Sequence, residues 1–276
     1  MYYSNFSLNI YFYIFIFIIS SLIASFCSVV ALRLEGNFEE NHKKDTKNSS
    51  IITGRSMCPF CNAVLPWWTL FPIFSYLILK GKCHNCKNHI SVIYPVIELV
   101  SGIYGAYLLS NYLTNNINLY TYFLFYFVYF VLLILSIQDI KFGEISDKVA
   151  IPAIIILFIS QLIYYFKINN FNLFLFQLLI VFILFFLFAS IVIFTSAMGG
   201  GDIRIFVIMG LVLSFPDILL ALTIGFIVAS LIGILEAVIK KQKNIAKFHI
   251  RLIPYLAFGF SIIATWGNII SNVIFK

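Results

Sequence analysis

This sequence predicts an all-α polytopic membrane protein of about eight transmembrane helices, with one small cysteine-bearing loop domain between the first two. Three observations predict it. The 276 residues are 62% hydrophobic and only 11% charged, more apolar material than a soluble core would use. The apolar residues fall in long runs separated by short polar breaks, and a hydrocarbon core about 30 Å thick calls for roughly 20 apolar residues per helical crossing. The cations gather on alternate connections, as cytoplasmic loops collect Lys and Arg.

Against that ruler the crossings are residues 10–32, 90–113, 119–137, 149–166, 173–195, 203–215, 218–239 and 252–275. Helix is expected because backbone groups in lipid must pair within the segment, and no run alternates as a barrel strand would. The first run lacks a preceding basic residue and a small-residue cleavage site, so it is expected to stay as a helix and not to be removed as a signal peptide. All but two of the 18 Lys and Arg lie in four places: the 33–89 loop, the connection holding Lys141 and Lys148, Arg204, and the group Lys240, Lys241, Lys243, Lys247 and Arg251. Every odd-to-even connection is therefore expected inside and both termini outside. The net charge of +7 is topological, and binding nucleic acid is not expected. The weakest segment is 203–215, which is short and carries Arg204; charge alternation nevertheless requires it to cross, in thinned or protein-shielded surroundings.

The domains follow: 1–32 a first transmembrane helix, 33–89 a cytoplasmic domain, 90–276 a membrane core. The polar stretch 35–50 is expected to be flexible. After it come Cys58-x2-Cys61 and Cys83-x2-Cys86, two pairs that can each grip one metal ion from a tight turn. Four thiolates complete a closed tetrahedral shell, which points to structural zinc. Redox pairs or buried thiols are the alternative, disfavoured in a reducing cytoplasm. His84 and His89 are left out of the ligand set, and Cys27 is a packing residue inside the first helix. The run "VLPWWTLFPIFSYLI" is broken by Pro66 and Pro72 and fits an interfacial or re-entrant segment, with Trp67 and Trp68 at headgroup level.

The carboxylates that stand out lie at helix ends on the expected inner side. "SIQDIKFGEISD" places Asp139 at the end of the third crossing and Asp147 just before the fourth, and "MGGGDIR" places Asp202 after three glycines. Two carboxylates in close contact share a proton, so that one can act as base on a water while the other polarises a carbonyl. Gly199 and Gly201 would let backbone and substrate approach closely. Simpler roles compete: Asp147 or Asp202 could cap helices, and Glu98, inside the second crossing, could be a buried hydrogen-bonding residue or part of a substrate channel. A transporter or channel that binds a cation through such groups, with a regulatory zinc loop, is the rival reading.

Together "ASFCSVVALRL", the paired cysteines, "PIFSYLILKGKCHNC", "YPVIELVSG", "DIKFGEISD" and "GGGDIR" resemble the type IV prepilin peptidases, bifunctional leader peptidase/N-methyltransferases of the GxGD aspartic type, along nearly the whole chain. The resemblance implies that Asp139 and Asp202 are catalytic, that Gly199 and Gly201 form the supporting turn, and that the four cysteines hold zinc. Asp147 and Glu98 are possible accessory residues. It further implies a multi-pass protein of the bacterial inner membrane that cuts the leader from type IV prepilins or pseudopilins, then methylates the new amino terminus with S-adenosylmethionine. The chain departs from the family at Ile145-Ser146-Asp147, where Ile-Pro-Asp is common, and at "LIPYLAFG".

Overall fold

A computed structural model describes residues 2–34, 55–58, 60–195, 199–239 and 251–274. The stretch 35–50, Pro59, Met198, Lys240, Lys241, Lys243, Lys247 and Lys276 lie outside the described residues. Among the described residues the chain is helical apart from two isolated β-bridges. The order is α1 (Tyr2–Leu34), a 3-10 turn (Trp67–Leu70), α2 (Phe74–Ile78), α3 (Ile93–Leu113), α4 (Leu119–Phe142), α5 (Asp147–Lys167), α6 (Phe171–Thr195), α7 (Gly200–Val212), α8 (Asp217–Ile239) and α9 (Ile253–Ile274). Six of these, α1, α3, α4, α5, α6 and α8, are long and apolar enough to cross a membrane. α7 has only 13 residues, and the apolar part of α9, Ile253–Gly267, is also shorter.

The chain forms two units, Met1–Asn118 and Leu119–Lys276. In the first, α1 packs along α3, and the buried Ser21 hydroxyl donates to the Glu98 carbonyl at 2.9 Å. A second helix lying on the first buries small polar groups that lipid could not satisfy.

In the second unit α7 is the centre, packed by α4, α5, α6 and α9. Ile205, Phe206, Ile208 and Met209 are fully buried, and Phe206 stacks on Phe188 at 3.7 Å. A helix apolar on all sides is stable only when protein or lipid covers all of it. At about 1.5 Å per residue α7 is ~20 Å long, short of a ~30 Å hydrocarbon core. Its last carbonyls therefore need partners that lipid cannot supply. Two buried glutamines supply them: Gln161 Nε2 donates to the Leu211 carbonyl at 2.7 Å, and Gln177 Nε2 donates to the carbonyls of Leu211 at 2.7 Å and Gly210 at 3.3 Å. Tyr120, stacked on Tyr164, donates to Gln161 Oε1 at 3.2 Å and holds that side chain in place. Replacing Gln161 and Gln177 together by Leu is expected to destabilise the fold by about 1–3 kcal/mol per orphaned carbonyl, read as a lower melting temperature in detergent; unchanged melting would mean that α7 does not need these caps.

Candidate functional site

α4 runs one turn past its expected end, so Asp139 lies inside the helix. Beyond Phe142, Gly143 takes φ +80 and turns the chain, and the fully buried Gln138 accepts the Ser146 amide through Oε1 at 3.1 Å, which closes the turn into α5. The Asp139 carboxylate faces the start of α9: Oδ2 accepts the Ile253 amide at 3.2 Å. The first amides of a helix have no partner within it and present positive partial charge, so a carboxylate from another helix is a natural occupant. Arg251 adds a cation, its Nη1 3.9 Å from Asp139 Oδ1. A Cβ at position 143 would displace that guanidinium, and the φ of +80 itself favours glycine there.

Asp202 comes from α7. Gly199 is the N-cap, and the Asp202 amide donates to its carbonyl at 3.1 Å, which places the aspartate in the first helical turn. The glycines serve by being small: Gly199 has an ordinary φ of −73, whereas a Cβ on Gly201 would sit 2.8 Å from the Ile145 side chain. The start of α7 thus lies against the α4–α5 turn, near enough to Asp139 for the charge of Asp139 to act on Asp202. The two aspartates, 63 positions apart in sequence, come within electrostatic reach of each other.

Asp147 is otherwise engaged. Arg204 grips it with two contacts, Nη1 to Oδ1 at 2.6 Å and Nη2 to Oδ2 at 3.0 Å, joining the first turns of α5 and α7. That bidentate geometry takes the cation nearest in sequence away from Asp202. Glu98 belongs to the other unit, where its Oε2 accepts the Ile73 amide at 2.8 Å. Arg251, in the sequence only one of the cations that set topology, and Gln138 and the Ile253 amide gain their roles through the fold.

The four cysteines converge: the sulfurs of Cys58, Cys61, Cys83 and Cys86 all lie within 4.8 Å of one another. Two matching turns bring them together. Cys58 N–H donates to the Ala63 carbonyl and Cys83 N–H to that of Asn88, while Asn62 and Lys87 donate back to the first cysteine of each pair. Asn62 and Lys87 both take positive φ, and the bridges Met57 to Val64 and Lys82 to His89 close the two turns alike. A tetrahedron with metal–sulfur bonds of about 2.3 Å has edges of about 3.8 Å, and Cys58 Sγ lies 3.8 Å from Cys86 Sγ. The residues therefore fit one tetrahedral ion. The Ala63 backbone lowers the Cys61 thiol to about 7, and that of Cys86 lowers Cys83. Cys86 moves to about 11, since burial and the sulfurs of Cys61, Cys83 and Cys58 outweigh the Asn88 amide that lowers it.

Residues 18–112 match the family described as the bacterial peptidase A24 N-terminal domain, and residues 126–234 match the type IV leader peptidase family, one within each unit. This chain belongs to the type IV prepilin peptidase family. Similar proteins named prepilin leader peptidase/N-methyltransferase occur in Myxococcus xanthus (35% identical over 92 residues, 33% of this chain and 24% of that protein), Vibrio cholerae (39% over 93 residues, 32% and 34%) and Bacillus subtilis (51% over 53 residues, 19% and 21%). The matched stretches thus span about a third or less of these type IV prepilin peptidases. No solved structure matches the chain.

Proposed function

We propose that the chain is a membrane aspartic endopeptidase that removes the leader from type IV prepilin-like precursors, with Asp139 and Asp202 as its catalytic pair. The placement of these two carboxylates, from α4 and α7, within electrostatic reach of each other supports the reading. A water between them would give a proton to the ionised carboxylate as its oxygen attacks the scissile carbonyl carbon, while the protonated partner hydrogen-bonds the carbonyl oxygen. Collapse of the tetrahedral intermediate breaks the C–N bond as the leaving nitrogen takes a proton from the acid. Arg251 and the Ile253 amide hold one carboxylate by charge and hydrogen bond, which supports Asp139 as the ionised member. Gly199 and Gly201 keep the approach to Asp202 free of side chains, and Asp147, through Arg204, fixes the start of α7.

In this reading α1 and α3 to α9 all cross the bacterial inner membrane, the short α7 as a protein-sheathed crossing, with both termini outside and the aspartates and cysteine loop on the cytoplasmic side. The cysteines hold structural zinc. A precursor's apolar helix would lie in the bilayer while its leader stays in the cytoplasm, which brings the scissile bond to the carboxylates. The relatives are named N-methyltransferases, and in this reading S-adenosylmethionine would supply an electrophilic methyl group to the new amine. Glu98 no longer favours a channel, because the Ile73 amide occupies its carboxylate. Co-expression with a prepilin tests both activities: the product is expected to lose its leader on a gel and to be one methyl group heavier at its amino terminus by mass spectrometry. Cleavage without the added mass would leave a peptidase alone; no cleavage would overturn the reading.

A further inference from the structure

The run of Trp67 to Ile78 folds into a hairpin of a 3-10 turn and α2, and its tip is held from below. Ile73 takes φ +63, a backbone region that β-branched residues rarely adopt. Such a conformation persists only where neighbours determine it; here the Glu98 carboxylate accepts its amide at 2.8 Å. Glu98 lies five residues into α3, so at about 1.5 Å per residue the tip of the hairpin is held ~7–8 Å along a helix suited to span a membrane. Around that tip Trp67, Phe71, Phe74, Leu77 and Ile78 are exposed, Trp67 and Ile78 each at 73%. The chain then turns through Lys80 and Gly81, both at positive φ, and presents Lys80 and Lys82 to solvent. Behind the hairpin, Trp68 packs edge-on against His84 of the second cysteine turn, with ring centroids 5.0 Å apart.

We propose that this hairpin is a monotopic anchor seated in an anionic phospholipid leaflet, with Glu98 setting its depth and Lys80 and Lys82 meeting the headgroups. Three features select lipid as the occupant. The loop that carries the hairpin runs between α1 and α3, both suited to cross, so it leaves and re-enters at one membrane surface. The Glu98 bond puts the apolar side chains level with the first turns of a spanning helix. The aromatic residues and lysines are ordered as at a bilayer interface, rings in the acyl boundary and cations at the phosphates. A contiguous exposed apolar patch of this kind marks a membrane or protein contact, and the adjoining cations favour the anionic surface. The inference does not depend on the peptidase reading.

The test uses the full chain in lipid nanodiscs. The chain has three tryptophans, so Trp266→Phe leaves Trp67 and Trp68 as reporters. Lipids brominated close to the headgroup are expected to quench their emission at least about twofold more than lipids brominated near the chain end, as suits interfacial rings. Quenching is expected to deepen when phosphatidylglycerol is added to phosphatidylcholine, and Lys80→Glu with Lys82→Glu should remove that dependence. Glu98→Leu should weaken the shallow quenching, while Glu98→Gln, whose amide oxygen can still accept from Ile73, should preserve it. Absence of quenching by either bromolipid, as expected if a protein surface covers the hairpin, would overturn the proposal. So would indifference to phosphatidylglycerol, or a Glu98→Leu protein quenched like the parent.

Discussion

Replacing Asp202 by Asn is expected to slow leader cleavage about a thousandfold, and Asp139→Asn by a similar factor, the range for losing a positioned acid or base. Asparagine keeps the size of each side chain but cannot ionise, and it replaces one acceptor oxygen by an NH2 donor, which at position 139 also removes the charge facing Arg251. At position 139 the amide oxygen can still accept the Ile253 N–H, so the start of α9 stays tethered. At position 202 the backbone bond to the Gly199 carbonyl is untouched. Each variant should therefore reach the membrane and melt near the parent temperature, so that lost cleavage reports chemistry and not unfolding. In the proposed mechanism the two groups act as a unit, so the double variant should be little slower than either single one. Full processing by either variant, seen on a gel of co-expressed prepilin, would remove that aspartate from the mechanism.

The second large effect concerns the cysteines. Cys58→Ser or Cys83→Ser is expected to cut bound zinc from about one ion per chain to nearly none, since a structural four-thiolate site binds with an apparent free energy of about 10–16 kcal/mol and has no spare ligand. Both residues are buried, and the backbone of each closes its own turn, so loss of the ion should open both turns. Elemental analysis of the purified protein gives the stoichiometry, and limited proteolysis should show faster cutting between residues 55 and 92 in either variant or after chelation. Retention of the ion by both variants would mean that other ligands hold it.

Much of the architecture was legible because lipid makes local demands. The boundaries of α3, α5 and α8 lie within a few residues of the apolar runs, since a helix in lipid needs only its own residues to satisfy its backbone. A helix was expected at 203–215 and runs from Gly200 to Val212, only 13 residues long. What stayed hidden depends on remote partners. Gln161 and Gln177 cap α7 from 50 and 34 residues away, and the Ile253 amide reaches Asp139 across 114. No local pattern encodes such pairs. Glu98 was conspicuous as a charge in an apolar helix, yet its partner is a main-chain amide, which has no signature in sequence. The glycines before Asp202 were expected to let a substrate approach closely; in the fold Gly199 has an ordinary φ and Gly201 is small because Ile145 lies against it. Asp139 and Asp202 stood out by residue type and by their expected shared side, but the Arg251 contact, which makes the pair unequal, required the fold.

The meeting of α4 and α7 at the two aspartates can be probed without any substrate. A chain carrying Asp139→Cys and Asp202→Cys, treated in native membranes with mild oxidant or a short thiol-bridging reagent, is expected to yield a linked peptide pair containing positions 139 and 202 by mass spectrometry, at a rate well above that of a control pairing position 139 with a cysteine at the far end of α7. No such link, or one no faster than the control, would contradict the claim that these residues face each other.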